Sequence, residues 1–469
     1  MSFIIYDITF LVLSILIVGI FFYKKRKNFT IEGPLYLYRT KIGLQYIEKI
    51  SKKYKSLLKS LQYLILISGY ALMVFSLWFI IKLAYIYITS PYLAKALKVP
   101  VIFPLIPYLP SLFKLDFLPP FYFTYWIIII AIIALPHEFA HGIYARFHKM
   151  KLHSTGFGFL RIFKFPTPFL AAFVEPDEKQ MQKMKKFPQL VMIAAGTFAN
   201  VVVGILFLLV MWIFMIAFFT PAGLYFNAYA TQPIPLTDIT GINNMPFQSA
   251  EQITSLGKTS PIIIQVHNQT FIAKSLIYDG SVLEGLEVYE HAPAFKSNLT
   301  GAIQFIDGDK VTSYESLRTS LAHHQPGDTI HVQTTDGKTT KEYILTLDNK
   351  NGKAYLGIGI IPPQYSGLFG WFAKLGSKVQ DPLVYYQSNL GDFGIFIKEL
   401  FWWIVIVSFS VALMNMLPLG IFDGGKFFYL SIWALTGKEK IGQRAYQIST
   451  WLILALFAAL MVKWVFAII

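Results

Sequence analysis

Six long apolar runs constrain this chain more than any other feature: Phe3–Phe22, Leu61–Ile88, Phe121–Phe147, Leu190–Phe219, Leu400–Pro418 and Trp451–Ile469. Each approaches or exceeds the roughly 20 residues a helix needs to cross the hydrocarbon core of a bilayer. In that solvent a spanning segment must satisfy its own backbone N–H and C=O groups, and unbroken apolar runs of this length do so as helices. The expected fold class is therefore a multi-pass α-helical membrane protein with about six transmembrane helices. An α+β region is inserted between the fourth and fifth. A composition of 55% apolar and 14% charged residues fits that class and no soluble one.

The charge pattern orients the spans. The net charge is +15, but it is not spread evenly. Basic residues crowd Lys24–Lys59 and Arg146–Lys186, whereas Pro221–Phe396 holds eleven Lys and Arg against fifteen Asp and Glu. The rule that basic loops stay in the cytoplasm accounts for this excess, so nucleic acid is not an expected partner and the lipid bilayer is. The first span has its charges after it, at Lys24–Lys27, which favours an anchor with an outside N-terminus over a cleaved leader. Alternating from there, the inserted region is extracytoplasmic and every basic cluster is cytoplasmic. The localisation expected is the cell membrane.

Five segments follow from these readings. Residues 1–120 form a two-span region with a basic loop and a Pro-rich stretch, Lys98–Pro120, expected to be interfacial, re-entrant or a packed loop. Residues 121–220 and 366–469 form two parts of a membrane core. Between them lie two small units, 221–280 and 281–365. Within the first core part, Ser154–Val174 mixes Gly and Pro with aromatic and β-branched residues and reads as short strands. The two inserted units carry an internal repeat: Ile239–Ile253 aligns without gaps with Ile303–Leu317. Each copy reads as strand, tight turn, short strand and helix start, with Ser249 and Ser313 as N-caps.

The chemistry is concentrated in the third run, at His137-Glu138-Phe139-Ala140-His141. Two imidazoles four residues apart share one helix face and can bind one Zn²⁺, and the Glu between them can act as a base toward water at the metal. Two core histidines would be a bland alternative in a soluble helix. Ionisable groups at membrane depth are costly and usually functional. The chain has no cysteine, so a third ligand must be Asp, Glu or His. The best candidate is Asp423, the only carboxylate between Glu399 and Glu439, in a stretch that Pro418, Gly420, Gly424 and Gly425 would break.

These residues bring a resemblance with them. His-Glu-x-x-His at His137–His141, followed by Asn-x-x-Pro-x-x-x-x-Asp-Gly at Asn415–Gly424, resembles the signature pair of the site-2 protease family of intramembrane metalloproteases. Gly142 and Ala145 extend the first motif in the family's manner, and Gly196–Asn200 is similar to its Gly-x-x-x-Asn. Gly285–Gly308 and Tyr355–Ile360 resemble a PDZ domain, which points to the PDZ-containing branch. The likeness covers about Phe121–Tyr429 and leaves out the first two spans. Phe422 departs from the family's usual Leu, and Pro136 is expected to kink the helix before the first His.

The resemblance implies a zinc-dependent endopeptidase that cleaves transmembrane segments of membrane proteins. His137, His141 and Asp423 would hold Zn²⁺, Glu138 would be the catalytic base, and Asn200 and Asn415 would support substrate or oxyanion. The strands of Ser154–Val174 could pair with an unwound substrate. The PDZ-like unit would take peptide C-termini, or serve as a scaffold or size filter only. The alternatives are a membrane zinc peptidase of another type, whose third ligand is typically Glu, a non-catalytic relative that binds membrane helices, and a transporter. The Asp423 motif and the intact His137, Glu138 and His141 weigh against them.

Overall fold

The computed structural model describes residues 3–33, 35–89, 105–115, 118–162, 165–243, 245–249, 251–253, 262–267, 269–279, 282–364 and 380–468, with residues 370, 374, 376 and 377 besides. Residues 98–104 and 116–117 of the Pro-rich stretch lie outside this set.

Among the described residues six helices are long and apolar enough to cross a membrane. They are α1 (Phe3–Lys25), α3 (Lys55–Thr89), α4 (Phe123–Phe147), α5 (Lys186–Phe218), α7 (Gly391–Asn415) and α9 (Glu439–Ile468). Each overlaps one of the six apolar runs, so the chain is a multi-pass membrane protein with a β-rich insertion. The chain divides into two compact units, residues 1–213 with 396–469, and residues 214–395.

In the first unit, buried residues of α3, α4 and α5 form one core with Met416 and with Phe427 of α8 (Asp423–Thr436), a short helix that the sequence reading did not separate from the break before it. Two ionisable residues inside apolar helices fasten helix ends. Asp7 of α1 is 1% exposed. Its carboxylate accepts from the N–H groups of Phe123 and Thr124 at 2.8 and 2.9 Å, from the Thr124 hydroxyl and from the Tyr108 hydroxyl. The first turn of α4 has no side-chain cap of its own, so Asp7 satisfies its orphan donors from another helix. At the opposite type of helix end, Lys463 of α9 donates to the carbonyls of Tyr87 and Ile88, the last turn of α3.

A four-stranded antiparallel sheet completes this unit, in the order β1 (Phe29–Glu32), β2 (Leu35–Thr40), β3 (Leu152–Ile162), β4 (Phe165–Pro176). The strands expected in Ser154–Val174 are there, longer than predicted. They are joined by a hairpin from the N-terminal region that the sequence reading had left as a basic loop. β2 runs beside β3 from Leu35 opposite Leu160 to Thr40 opposite Thr155. Between β2 and α3, α2 (Leu44–Lys53) packs on α4, where a Cβ at Gly142 would lie 2.9 Å from Ile47 Cδ1.

The second unit contains two six-stranded sheets. One holds β6 (Thr231–Pro235), β7 (Gly241–Ile242), β8 (Met245–Pro246), β9 (Ile263–Val266), β10 (Gln269–Asp279) and β11 (Val282–Tyr289), in the order β6-β11-β10-β9-β7-β8. The other has β5 (Phe219–Tyr225), β12 (Ala302–Ile306), β13 (Thr329–Thr335), β14 (Thr340–Thr346) and β15 (Val384–Ser388), in the order β14-β13-β12-β5-β15, with Asp309–Lys310 added beside β12. The internal repeat has a structural counterpart. Asn243 and Asp307 both take positive φ, at 47° each, in the tight turns after β7 and β12. Ser313 caps α6 (Tyr314–Ala322) in a capping box with Ser316, and Ser249 precedes the helical residues 251–253. Strand membership crosses the position 281 chosen from the sequence: β11 belongs to the first sheet, while β5 pairs with β12 and β15 in the second.

Candidate metal centre

His137 and His141 lie one turn apart on α4, which runs unbroken through Pro136. The third group arrives from the other end of the unit. α7 stops at Asn415, the chain turns through Met416–Phe422, and Asp423 opens α8. Gly424 permits this reversal, since a Cβ there would collide with the backbone of Met416 and Leu417. The carbonyls freed by the turn are satisfied from α9: the Ser449 hydroxyl donates to Pro418 O at 2.9 Å and the Tyr446 hydroxyl to Gly420 O at 3.3 Å. Irregular backbone among apolar helices needs such partners. As the first residue of α8, Asp423 also sits where a helix favours negative charge.

The three donor atoms converge. His137 Nε2 and His141 Nε2 are 3.1 Å apart, and Asp423 Oδ2 is 3.3 Å from the first and 3.4 Å from the second. Among the described residues this is the one group of three or more such side chains able to hold a metal ion. A tetrahedral zinc with ligand bonds of about 2.0–2.1 Å separates neighbouring ligand atoms by about 3.3–3.4 Å, so the triangle fits the ion. The space is kept open by Gly196 of α5, where a Cβ would collide with His141 Nε2 and lie 2.7 Å from His137 Nε2.

The outer ring nitrogens are held as well. His141 Nδ1 is 2.7 Å from the carbonyl of Met192, so Nδ1 carries the proton and Nε2 keeps its lone pair for a cation. His137 Nδ1 is 3.0 Å from the side-chain amide of Asn200, which is fully buried. Asn200 Oδ1 has no partner among the described residues. Turning the amide over pairs Oδ1 with Nδ1–H and leaves His137 in the same tautomer as His141. Gly196 and Asn200 of the Gly-x-x-x-Asn motif thus both face the two imidazoles. Asn415, by contrast, is half-buried at the end of α7 and makes no side-chain hydrogen bond among the described residues.

Glu138 points to the sheet. Its Oε2 accepts from the N–H of Val174 on β4 at 3.1 Å. Among the described residues β4 is an edge strand, with β3 on one side only. A cavity of about 890 Å³ is lined by Glu138, His141, Asp423 and Val174, and also by Arg39 and Glu175. Sequence reasoning missed Arg39, Glu175 and Asp7. For Asp7 a signal existed, because it is an ionisable residue inside an apolar run.

A pair of imidazoles and a carboxylate among helices apolar enough to cross a membrane, beside a glutamate held by an edge strand, fits the class of membrane metallopeptidases. The chain matches Peptidase family M50 over residues 125–460 and belongs to that family, the site-2 protease family. It is a membrane metalloprotease, of a family that is typically zinc-dependent. No curated protein matches the chain.

Proposed function

We propose that this protein is a zinc-dependent intramembrane endopeptidase that cleaves transmembrane segments of membrane proteins, as in regulated intramembrane proteolysis. The observation that carries this reading is the convergence of His137 Nε2, His141 Nε2 and Asp423 Oδ2 beside Glu138, on helices apolar enough to cross a bilayer. Those three atoms would hold the ion. When bound, zinc supplies the positive charge that acidifies a water and polarises a scissile carbonyl.

Glu138 would accept a proton from water at the site and pass it to the leaving amine, with its carboxylate aimed by Val174 N–H. Asn200 and Met192 keep the imidazoles in register. Asn415 is left as a partner for the substrate backbone. A helical substrate must unwind before its carbonyls are accessible, and β4, which pairs with β3 alone among the strands of the described residues, offers an edge for an added strand. Basic clusters on one side of the six helices support a site that opens toward the cytoplasm, with the inserted unit outside. That unit acts as a PDZ-like filter or dock, and the repeated strand–turn–strand–helix pattern supports this. Removing Ala222–Gln364 then admits bulkier substrates, and unchanged selectivity would refute the filter.

The decisive test is Glu138→Gln in the full chain, with zinc content and cleavage of a fluorogenic single-span helix measured together. Retained zinc with lost turnover supports the reading. Turnover that survives the substitution ends it.

A further inference from the structure

The N-terminal segment between α1 and α3 lies outside the family match, yet it builds one wall of the site. β2 pairs with β3, so β1 and β4 are the two edge strands of the sheet beside the candidate metal centre among the described residues. At the cavity, Arg39 of β2 joins three elements. Its Nε donates to Glu175 Oε2 on β4 at 3.1 Å, and its two other nitrogens bond Glu32 and Thr30 of β1. It reaches Glu175 diagonally across β3, where Gly156 stands opposite Arg39 and Ser154 stands opposite Glu175. Glu175 also accepts from the Ser154 hydroxyl. One residue earlier, Val174 N–H holds Glu138.

A connected set of polar contacts therefore runs from the N-terminal hairpin to the residue that handles the proton. We propose that Arg39 is a positioning residue: through Glu175 it fixes the end of β4 so that Val174 N–H aims Glu138. This rests on the proposed function for Glu138, but its first readout does not. A planar guanidinium suits the task, because its several donors lie in one rigid plane and bridge carboxylates on two strands at once. Both carboxylates are partly exposed, so the pair contributes little to overall stability. Its consequence is geometric, and small misplacements of a reacting group cost roughly 10- to 100-fold in rate.

The experiment compares wild type, Arg39→Ala, Glu175→Gln and the double variant as full chains in detergent micelles. Hydrogen exchange of the peptide covering Phe165–Pro176 is read first. The expected result is exchange at the Val174 end about tenfold faster in both single variants, no faster in the double variant, with α4, α5 and bound zinc unchanged. On the same fluorogenic single-span helix, kcat falls about tenfold with KM within about twofold, again without additivity. Unchanged exchange in Arg39→Ala overturns the proposal. So do additive losses, an acceleration spread over α4 and α5, or faster exchange at β4 with full kcat. A wild type that holds zinc but does not cleave the probe counts against the peptidase reading and leaves the exchange test standing.

Discussion

A Cβ at Gly196 would collide with Nε2 of His141, the atom that faces Asp423. The glycine therefore belongs to the metal centre although it offers no ligand. Gly196→Ala puts a methyl group where the ion must sit, and the helix itself gains rather than loses propensity. The expected outcome is loss of nearly all zinc from a chain whose helix content by circular dichroism is unchanged. A zinc-replete Gly196→Ala variant would show that the ion is held elsewhere.

Asp423 is the only carboxylate in the triangle, and its removal leaves two imidazoles. Wild type is expected to carry about one zinc per chain, and Asp423→Ala only a small fraction of that. Metal analysis of the purified proteins checks this without any substrate. Full occupancy in Asp423→Ala would hand the third position to another residue.

Asp7 stands far from the metal, but its carboxylate takes four donors at the start of the helix that bears both histidines. Asp7→Ala leaves two backbone N–H groups and two hydroxyls without their acceptor in a buried place. Hydrogen bonds to a charged group contribute about 1.5–3 kcal/mol, so a loss of on the order of 2–3 kcal/mol is expected. Thermal unfolding in detergent measures it. An unchanged midpoint would mean that solvent or lipid headgroups replace Asp7.

In the inserted unit, Asp336 closes the β13–β14 turn. It accepts from the N–H groups of Lys338 and Thr339 at 2.8 and 2.7 Å. These bonds favour the ionised form and pull the carboxyl down to about 2, against about 4 in an unfolded chain. A depressed carboxylate stabilises the fold above its unfolded value, and that contribution disappears as pH falls from about 4 to about 2. Exchange protection of β13 and β14 should weaken across that window in wild type. Asp336→Asn, which cannot titrate, should lack the step; an identical step in both would assign it to another group.

How much of this was legible in advance depended on the range of the signal. The six spans were readable because a bilayer demands long apolar runs, and the structure puts a helix on each. The His137–His141 pair was readable because helix geometry places i and i+4 together. Asp423 was readable as a lone carboxylate among helix breakers. Asp7 obeyed the same logic in an apolar run and was passed over. Arg39 offered no such contrast: it sits in a basic stretch, and its partner Glu175 lies in a strand from the other side of α4.

The internal repeat was legible as local pattern, but the sheets were not. β5 and β15 lie at the two ends of the inserted unit and pair with each other, and β11, which follows residue 281, pairs with β6. Strand pairing between distant segments leaves no periodicity in either partner.

By itself, then, the sequence named what short-range physics makes readable: six apolar runs, His137, His141 and Asp423 as candidate ligands, and Glu138 as the candidate base. The tertiary structure alone decided where these meet. It brought Asp423 within 3.4 Å of both imidazoles, cleared the space at Gly196, and laid an N-terminal hairpin along the strands that hold Glu138. Those are contacts between segments far apart in the chain, set by packing and by the need to satisfy every polar group among apolar helices.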